Sequence, residues 1–216
     1  MDYNLVVIFS FSIVLAGIIG LFRFKKISLI YYSFIFLLWF GFLNEVISFI
    51  LIKSNHSNAI NSNIYVLLES VLIVWFFKTQ TLFERAKKVA NWMILFYIVI
   101  WCAQNFYFSS IINFSSYFTI VYSFITVLMS INLINRLISN EKGRIFRNSA
   151  FLICIGFILF YTCSVLIEIF WIYGLNSSLE FRFHVYRVMT FINLIVNLIY
   201  ALAVLWIPKK REYTLL

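Results

Sequence analysis

Residues 149–173 read SAFLICIGFILFYTCSVLIEIFWIY, an apolar stretch in which Glu168 is the only charged residue. At about 1.5 Å of rise per residue, a helix over this stretch can cross a hydrocarbon core of about 30 Å. Six further apolar runs accompany it, at roughly Leu5–Phe22, Ser28–Ile52, Ile64–Phe77, Val89–Phe108, Tyr117–Leu137 and Val185–Ile207. Together they predict an all-α integral membrane protein, a single domain over residues 1–216 that forms a seven-transmembrane-helix bundle.

The composition also indicates a membrane protein. Hydrophobic residues make up 63% of the chain and charged residues 12%, and the mean hydropathy is +0.97, far from an average soluble domain. The net charge of +9 does not predict a nucleic-acid partner, because its carriers lie in short loops beside the spans, where anionic headgroups attract them. Cys102, Cys154 and Cys163 fall inside spans without metal-site or disulfide spacing, so neither a metal nor a cofactor is predicted.

Basic and non-basic loops alternate along the chain. Of the 17 Lys and Arg residues, all but Lys53, Arg182 and Arg187 lie at the ends of the first, third, fifth and last spans or just beyond them. The positive-inside rule then places the N-terminus outside and the C-terminus in the cytoplasm. Because the Asn-, Ile-, Lys- and Phe-rich composition suits an AT-rich bacterial genome, the predicted location is a bacterial inner membrane.

The third apolar run is the shortest. It extends only from Ile64 to Phe77, about fourteen residues, and Glu69 interrupts it. A re-entrant hairpin is therefore an alternative to a full crossing. We predict a crossing, because Lys78 can extend its amine to the interface and because the charge alternation requires one.

A weak repeat relates the two halves of the chain at an offset of roughly 120 residues, in the manner of internally repeated transporters. Residues 23–26 align with residues 144–147, and each segment precedes an aromatic-rich span that ends in an acid, Glu45 or Glu168. This pattern predicts a 3+1+3 arrangement of parallel repeats. Chance similarity between Phe- and Ile-rich spans is the alternative.

The ionisable residues inside the spans are the candidates for function, because a charge at mid-bilayer costs about 2.5–3.5 kcal/mol even on the lenient insertion scale. Their neighbours at helical spacing are polar, as in the stripe of Gly41, Glu45 and Ser48 and the pair Tyr65 and Glu69. Such stripes must face protein or water. We therefore predict a polar cavity that opens to the outside, lined by the second, third, sixth and seventh spans.

The predicted ligand- or ion-binding residues are Glu45, Glu69, Glu168, Arg187, His184, Tyr65, Tyr161, Tyr186 and Asn193. The alternative is an interhelical network that only holds the bundle together, with Glu168 paired to Arg187. Interhelical hydrogen bonds are often worth only about 0.6 kcal/mol. Burying three acids for so small a gain favours a binding function.

Enzyme chemistry has little support in the sequence. The chain has two histidines, His56 and His184, and a single Asp, Asp2, whereas a seven-helix zinc hydrolase needs about three His ligands. An intramembrane metal-dependent hydrolase with a carboxylate-rich site of Glu45, Glu69, Glu168 and His184 is left as an alternative. No catalytic residue is predicted, and no metal ligand is assigned.

Single residues exclude retinal linkage and argue against membership of a second seven-span family. The last span has no Lys, the residue that links retinal in microbial rhodopsins, and the only Pro is Pro208, whereas the small sugar transporters use prolines in their hinges. The sequence Asn63-Ile64-Tyr65 followed by Glu69, in a short Phe- and Ile-rich chain, resembles small seven-helix bacterial inner-membrane proteins of unassigned function. That resemblance implies the layout and no activity.

Two functions agree with these patterns. In the first, the chain is a non-enzymatic receptor-like protein or accessory subunit, whose cavity binds a small ligand or cation while a separate membrane or cytoplasmic protein partner carries the response. In the second, it is a small proton- or cation-coupled transporter. A transporter needs a polar route to both sides, and the inner half offers little beyond Ser130, Asn132 and Asn135. The sequence therefore favours the first function.

Overall fold

The computed structural model describes residues 9–84, 86–140, 145–173 and 178–210, without the side chains of Lys87, Asn140, Leu179, Glu180, Arg182, Phe183 and Tyr186. This part of the chain is almost entirely helical. Its α-helices are α1 (Ile13–Arg23), α2 (Tyr32–Lys53), α3 (Ala59–Thr79), α4 (Lys87–Cys102), α5 (Ser116–Asn140), α6 (Ser149–Tyr173) and α7 (Leu179–Trp206).

Six of these helices, α2 to α7, are long and apolar enough to cross a membrane. This confirms the predicted integral membrane protein. Helix α1 has 11 residues, and the first predicted span, Leu5–Phe22, extends into residues 1–8, which lie outside the described part. The number of seven spans therefore stays a prediction.

Helix α3 covers the predicted third span and is long enough to cross a membrane. It is continuous over 21 residues, about 31 Å at the rise of an α-helix, and it contains no re-entrant break. The sequence placed its start too late, at Ile64, because Asn61 and Asn63 look like loop residues. Both amides are instead bonded to protein: Asn61 Nδ2 donates to Asn44 Oδ1 at 2.8 Å, and Asn63 Nδ2 donates to the carbonyl of Ile111 at 2.9 Å.

The helices form a ring in chain order. Each helix packs closely against the next one in the chain, except that α4 lies mainly against α3 and only lightly against α5. Helices α3 and α5 also touch directly, and α1 packs against α7 and closes the ring. Helix α4 is thus peripheral, and six helices surround the centre of the bundle.

One end of the bundle gathers the basic loops, and we call it the basic end. There the segment between α1 and α2 pairs with the chain after α7: the Ser28 amide donates to the Pro208 carbonyl at 3.0 Å, and the Lys210 amide donates to the Lys26 carbonyl at 2.8 Å. Ile27, enclosed between them, is fully buried. These bonds join the first and last helices at the same end.

Arg23 reinforces this junction. Its guanidinium donates to the carbonyls of Val204, Leu205 and Ile207, at 3.1 Å for Val204 and 2.9 Å for Ile207. These are carbonyls at the C-terminus of α7, where a helix has no intrahelical donors left and where its dipole favours a cation. Arg23 is therefore a C-terminal cap supplied by another helix, besides being one of the charges used to predict orientation.

We expect Arg23→Met to lower the free energy of unfolding by about 1–2 kcal/mol, because three carbonyls lose a charged donor. Lys25→Met is the matched control, since it removes the same charge from an exposed side chain two residues further along the chain. Thermal unfolding of both purified variants in detergent checks the expectation. Equal melting temperatures for the two variants would show that the contacts to α7 contribute nothing.

Between the bundle's middle and its basic end lies an aromatic core of Phe34, Phe76, Phe77 and Phe157. All four rings are fully buried. Phe76 and Phe157 meet edge to face with their centroids 5.7 Å apart, and Phe34 lies 6.1 Å from Phe76. Such edge-to-face pairs add roughly 0.5–1.5 kcal/mol each to area burial. An abundance of Phe in a membrane protein is typical of lipid-facing surfaces, whereas these four fill the centre of the ring.

Candidate functional site

A cavity of about 240 Å³ lies near the middle of the bundle, inside the ring of six helices. All helices except α4 contribute to it. Helices α1 and α5 therefore line the cavity together with the four spans that the sequence predicted. Its polar and aromatic lining comprises Ser10, Asn44, Glu45, Ser62, Tyr65, Glu69, Thr119, Tyr122, Phe160, Tyr161, Ser164, Asn193, Asn197 and Tyr200. Among the described residues, the lining contains two carboxyl groups and no Lys, Arg or His.

Glu69 is the most tightly held acid of the cavity. Tyr65, one turn earlier on α3, donates its hydroxyl to Oε1 at 2.9 Å, and Tyr122 of α5 donates to Oε2 at 2.6 Å. Each carboxyl oxygen therefore accepts a phenolic hydrogen bond, one from its own helix and one from a neighbour. This arrangement satisfies a buried acid and fixes α3 to α5.

Glu45 differs from Glu69. It lines the same cavity from α2 and is half-buried, and it makes neither a hydrogen bond nor an ion pair with any side chain of the described part. One turn before it, Gly41 leaves room for the Tyr65 hydroxyl, which would lie only 3.2 Å from a Cβ at residue 41. The Glu45 carboxyl is thus free to meet whatever enters the cavity.

Aromatic rings form much of the wall. Tyr122 and Tyr161 pack edge to face with their centroids 5.7 Å apart, and Tyr65 and Tyr200 lie on α3 and α7. On the α7 side, Asn197 donates through Nδ2 to Ser12 Oγ at 2.8 Å and to Asn193 Oδ1 at 3.3 Å. The wall therefore combines π faces with amide and hydroxyl groups.

The structure brings together five of the predicted binding residues. The ones that line the cavity are Glu45, Glu69, Tyr65, Tyr161 and Asn193. Their role in binding stays a prediction.

Three predicted residues lie elsewhere, and one is not described. Glu168, His184 and Arg187 are not among the lining residues, and the side chain of Tyr186 lies outside the described part. His184 and Arg187 are exposed. Glu168 forms no ion pair with Arg187, since the ion pair found between described residues joins Arg136 to Glu84. The Oε2 atom of Glu168 is buried without a hydrogen-bond partner in that part of the chain.

This separation also bears on the metal alternative. A carboxylate-rich site needs Glu45, Glu69, Glu168 and His184 to converge, and the first two alone reach the cavity. Across residues 9–84, 86–140, 145–173 and 178–210, no three His, Cys, Asp or Glu residues come close enough to hold a metal ion.

The sequence prediction missed α5. Tyr122 and Thr119 line the cavity, and they belong to a stripe at steps of three and four residues that continues to Thr126 and Ser130, both fully buried. The stripe carries no charge, so a search for ionisable residues passes over it. The periodic hydroxyls were the signal that could have found it.

Gln104 and Asn105 are buried polar residues that do not belong to the described lining of the cavity. They lie in a π-helical turn, Ala103–Phe108, that ends α4. Gln104 Oε1 accepts from the Phe118 amide at 2.6 Å, and Asn105 Oδ1 accepts from the Ser115 hydroxyl at 2.8 Å. Both side chains therefore hold the start of α5, where backbone amides lack helical partners.

The aromatic core closes the cavity toward the basic end. Phe34, Phe76 and Phe157 each lie on the basic side of the lining residues of their own helices. The hydroxyls of α5 beyond this point do not open a path, because Thr126 donates to the Tyr122 carbonyl and Ser130 to the Thr126 carbonyl, both at 2.8 Å. The cavity therefore has an apolar floor.

Comparison with known proteins yields no match: no family model, no curated protein and no solved structure is similar to this chain.

Proposed function

We propose that this chain is a non-enzymatic, receptor-like membrane protein or accessory subunit whose cavity opens to the outside and binds a small ligand or cation. One observation carries the proposal: the cavity contains two carboxyl groups, one of which has no hydrogen-bond or ion-pair partner among the described residues, above an apolar floor. Burying an acid in the middle of the bilayer costs free energy. Because Glu45 forms no described hydrogen bond or ion pair, we assign its carboxyl group to ligand binding rather than to holding the bundle together.

The proposal includes the orientation and layout expected from the sequence. Seven spans with the N-terminus outside place the basic end in the cytoplasm, at a bacterial inner membrane. The peripheral position of α4 leaves α1–α3 and α5–α7 as two groups of three, which supports the 3+1+3 repeat. Because the described part holds no separate signalling domain, a membrane or cytoplasmic protein partner carries the response.

The same geometry weighs against the coupled transporter. Alternating access needs a polar route from the site to each side, whereas Phe34, Phe76 and Phe157 occupy the inner route with fully buried rings. The transporter thus requires a second conformation in which these rings separate. A receptor or subunit requires only the arrangement described.

Cysteine labelling tests the proposal in a variant whose three native cysteines are alanine. Ser164→Cys places a thiol in the cavity, and Ser130→Cys places one beyond the aromatic core. We expect an impermeant thiosulfonate reagent added outside to modify Ser164→Cys, faster with a cationic than with an anionic reagent, because two carboxyl groups line the cavity. Ser130→Cys is expected to stay unmodified from either side.

Two outcomes contradict the proposal. If Ser164→Cys reacts only with reagent added from the cytoplasmic side, the cavity does not open outward. If Ser130→Cys reacts from the cytoplasmic side, the apolar floor opens and the cavity is not closed toward the basic end. Uptake of a solute by the purified protein in liposomes would then establish a transporter.

A further inference from the structure

The chemistry of the cavity points to a class of ligand, an inference that rests on the function proposed above. We infer that the cavity takes a small monovalent organic ammonium ion, with its charged head against Glu45 and its carbon atoms against the tyrosine rings. The charge of the lining, the aromatic side chains of the wall and the volume of the cavity each support this class of ligand.

The charge of the lining favours a cation with one positive charge. Both oxygens of Glu69 already accept phenolic hydroxyls, whereas Glu45 has no partner among the described side chains. Among the described residues of the lining there is no Lys, Arg or His, so Glu45 is the acid whose oxygens are open to a positively charged ligand. A buried, uncompensated charge is costly, and a monovalent cation removes that cost.

The side chains of the cavity wall favour an organic cation over a metal ion. Ca²⁺ and Mg²⁺ take six or more oxygen ligands from carboxylates, carbonyls and water, whereas one open carboxyl group, that of Glu45, is accompanied here by scattered hydroxyl and amide groups. Four tyrosines, Tyr65, Tyr122, Tyr161 and Tyr200, are among the lining residues. Tyrosine faces attract alkylammonium groups through cation–π interactions, and such aromatic cages recognise quaternary ammonium ligands.

The volume limits the size of the ligand. The cavity measures about 240 Å³, and a water molecule takes roughly 30 Å³ in the liquid, so the space equals about eight waters. Choline, with about seven non-hydrogen atoms, is near this limit.

Binding to the purified full-length protein tests the inference, with choline chloride as the probe. We expect choline to raise the melting temperature in proportion to the logarithm of its concentration once above Kd, and calorimetry to give one site. Two controls separate charge from shape: potassium chloride at equal ionic strength, and 3,3-dimethylbutan-1-ol, which has choline's shape without its charge. Neither control is expected to raise the melting temperature.

Three variants assign the contacts. Glu45→Gln is expected to raise the Kd for choline by about tenfold or more through loss of the counter-charge, and it should fold normally because Glu45 makes no described bond. Tyr161→Phe keeps the π face and is expected to bind within about threefold of the wild type, whereas Tyr161→Leu is expected to lose about tenfold.

The outcomes separate a failure of this inference from a failure of the proposed function. If the alcohol binds as well as choline, or if Glu45→Gln binds choline unchanged, the inference is overturned. If potassium stabilises the protein and choline does not, the ligand class is wrong while the outward cation site stands. If Ser164→Cys cannot be labelled from outside, the proposed function itself fails.

Discussion

Asn63→Asp is expected to lower the free energy of unfolding by about 3 kcal/mol or more. The Asn63 amide is buried; its Nδ2 donates to the carbonyls of Ile111 and Asn113 at 2.9 and 2.7 Å, and its Oδ1 accepts from the Ser115 amide at 2.9 Å. A carboxylate keeps the acceptor and loses both donors. Two carbonyls then face a buried negative charge, the most costly kind of unsatisfied contact.

Asn113→Asp is the matched control. Asn113 is exposed, and its side chain makes only a 3.5 Å contact with Ser109 Oγ, so an effect under about 0.5 kcal/mol is expected. Denaturant unfolding in detergent compares the two variants. Hydrogen exchange over residues 109–115 gives a local readout, because loss of the clamp frees these amides. Equal stability of both variants would contradict the assigned bonds.

Gly156→Ala is expected to have the second largest effect, a loss of about 1–3 kcal/mol despite the better helix propensity of alanine. A Cβ at residue 156 would overlap the ring of Tyr200. That ring cannot step aside freely, because Phe34 lies 5.2 Å and Phe157 6.0 Å from it, centroid to centroid. Close packing of this kind resists even one added methyl group.

Gly17→Ala is a control with the opposite expected effect on stability. The nearest atom to a Cβ at residue 17 is Trp39 Cδ1 at 3.6 Å, an ordinary contact, so this variant is expected to equal the wild type or gain up to about 1 kcal/mol. Melting temperatures of the two variants check the difference. Adding Tyr200→Leu to Gly156→Ala removes the overlap. The double variant should therefore lose less than the sum of its parts.

The sequence predicted the helices well because hydrophobic length is a local property. Residues 149–173 were assigned with the bounds that α6 has. The start of α3 was missed because the partners of Asn61 and Asn63 lie on α2 and in the α4–α5 connection. A polar residue inside a span reads as a loop until those partners are known.

The site was predicted in part for a similar reason. Periodicity placed Glu45 and Glu69 on protein-facing stripes, but it gives no distance between helices. Glu168 has an equally good stripe and still lies away from the cavity. Tyr122 was missed because an uncharged hydroxyl carries little weight in sequence, although it holds the central acid.

The junction between Arg23 and the end of α7 constrains how the protein is made. Ribosomes deliver helices to the membrane in order, and α1 emerges long before the carbonyls of residues 204–207 that its arginine caps. Ring closure must therefore wait until nearly the whole chain has been inserted. Until then α1 lacks its neighbour α7, and the acids of the cavity stand in an open bundle. Quality control by membrane proteases would act on this interval, and substitutions at Arg23 are expected to prolong it.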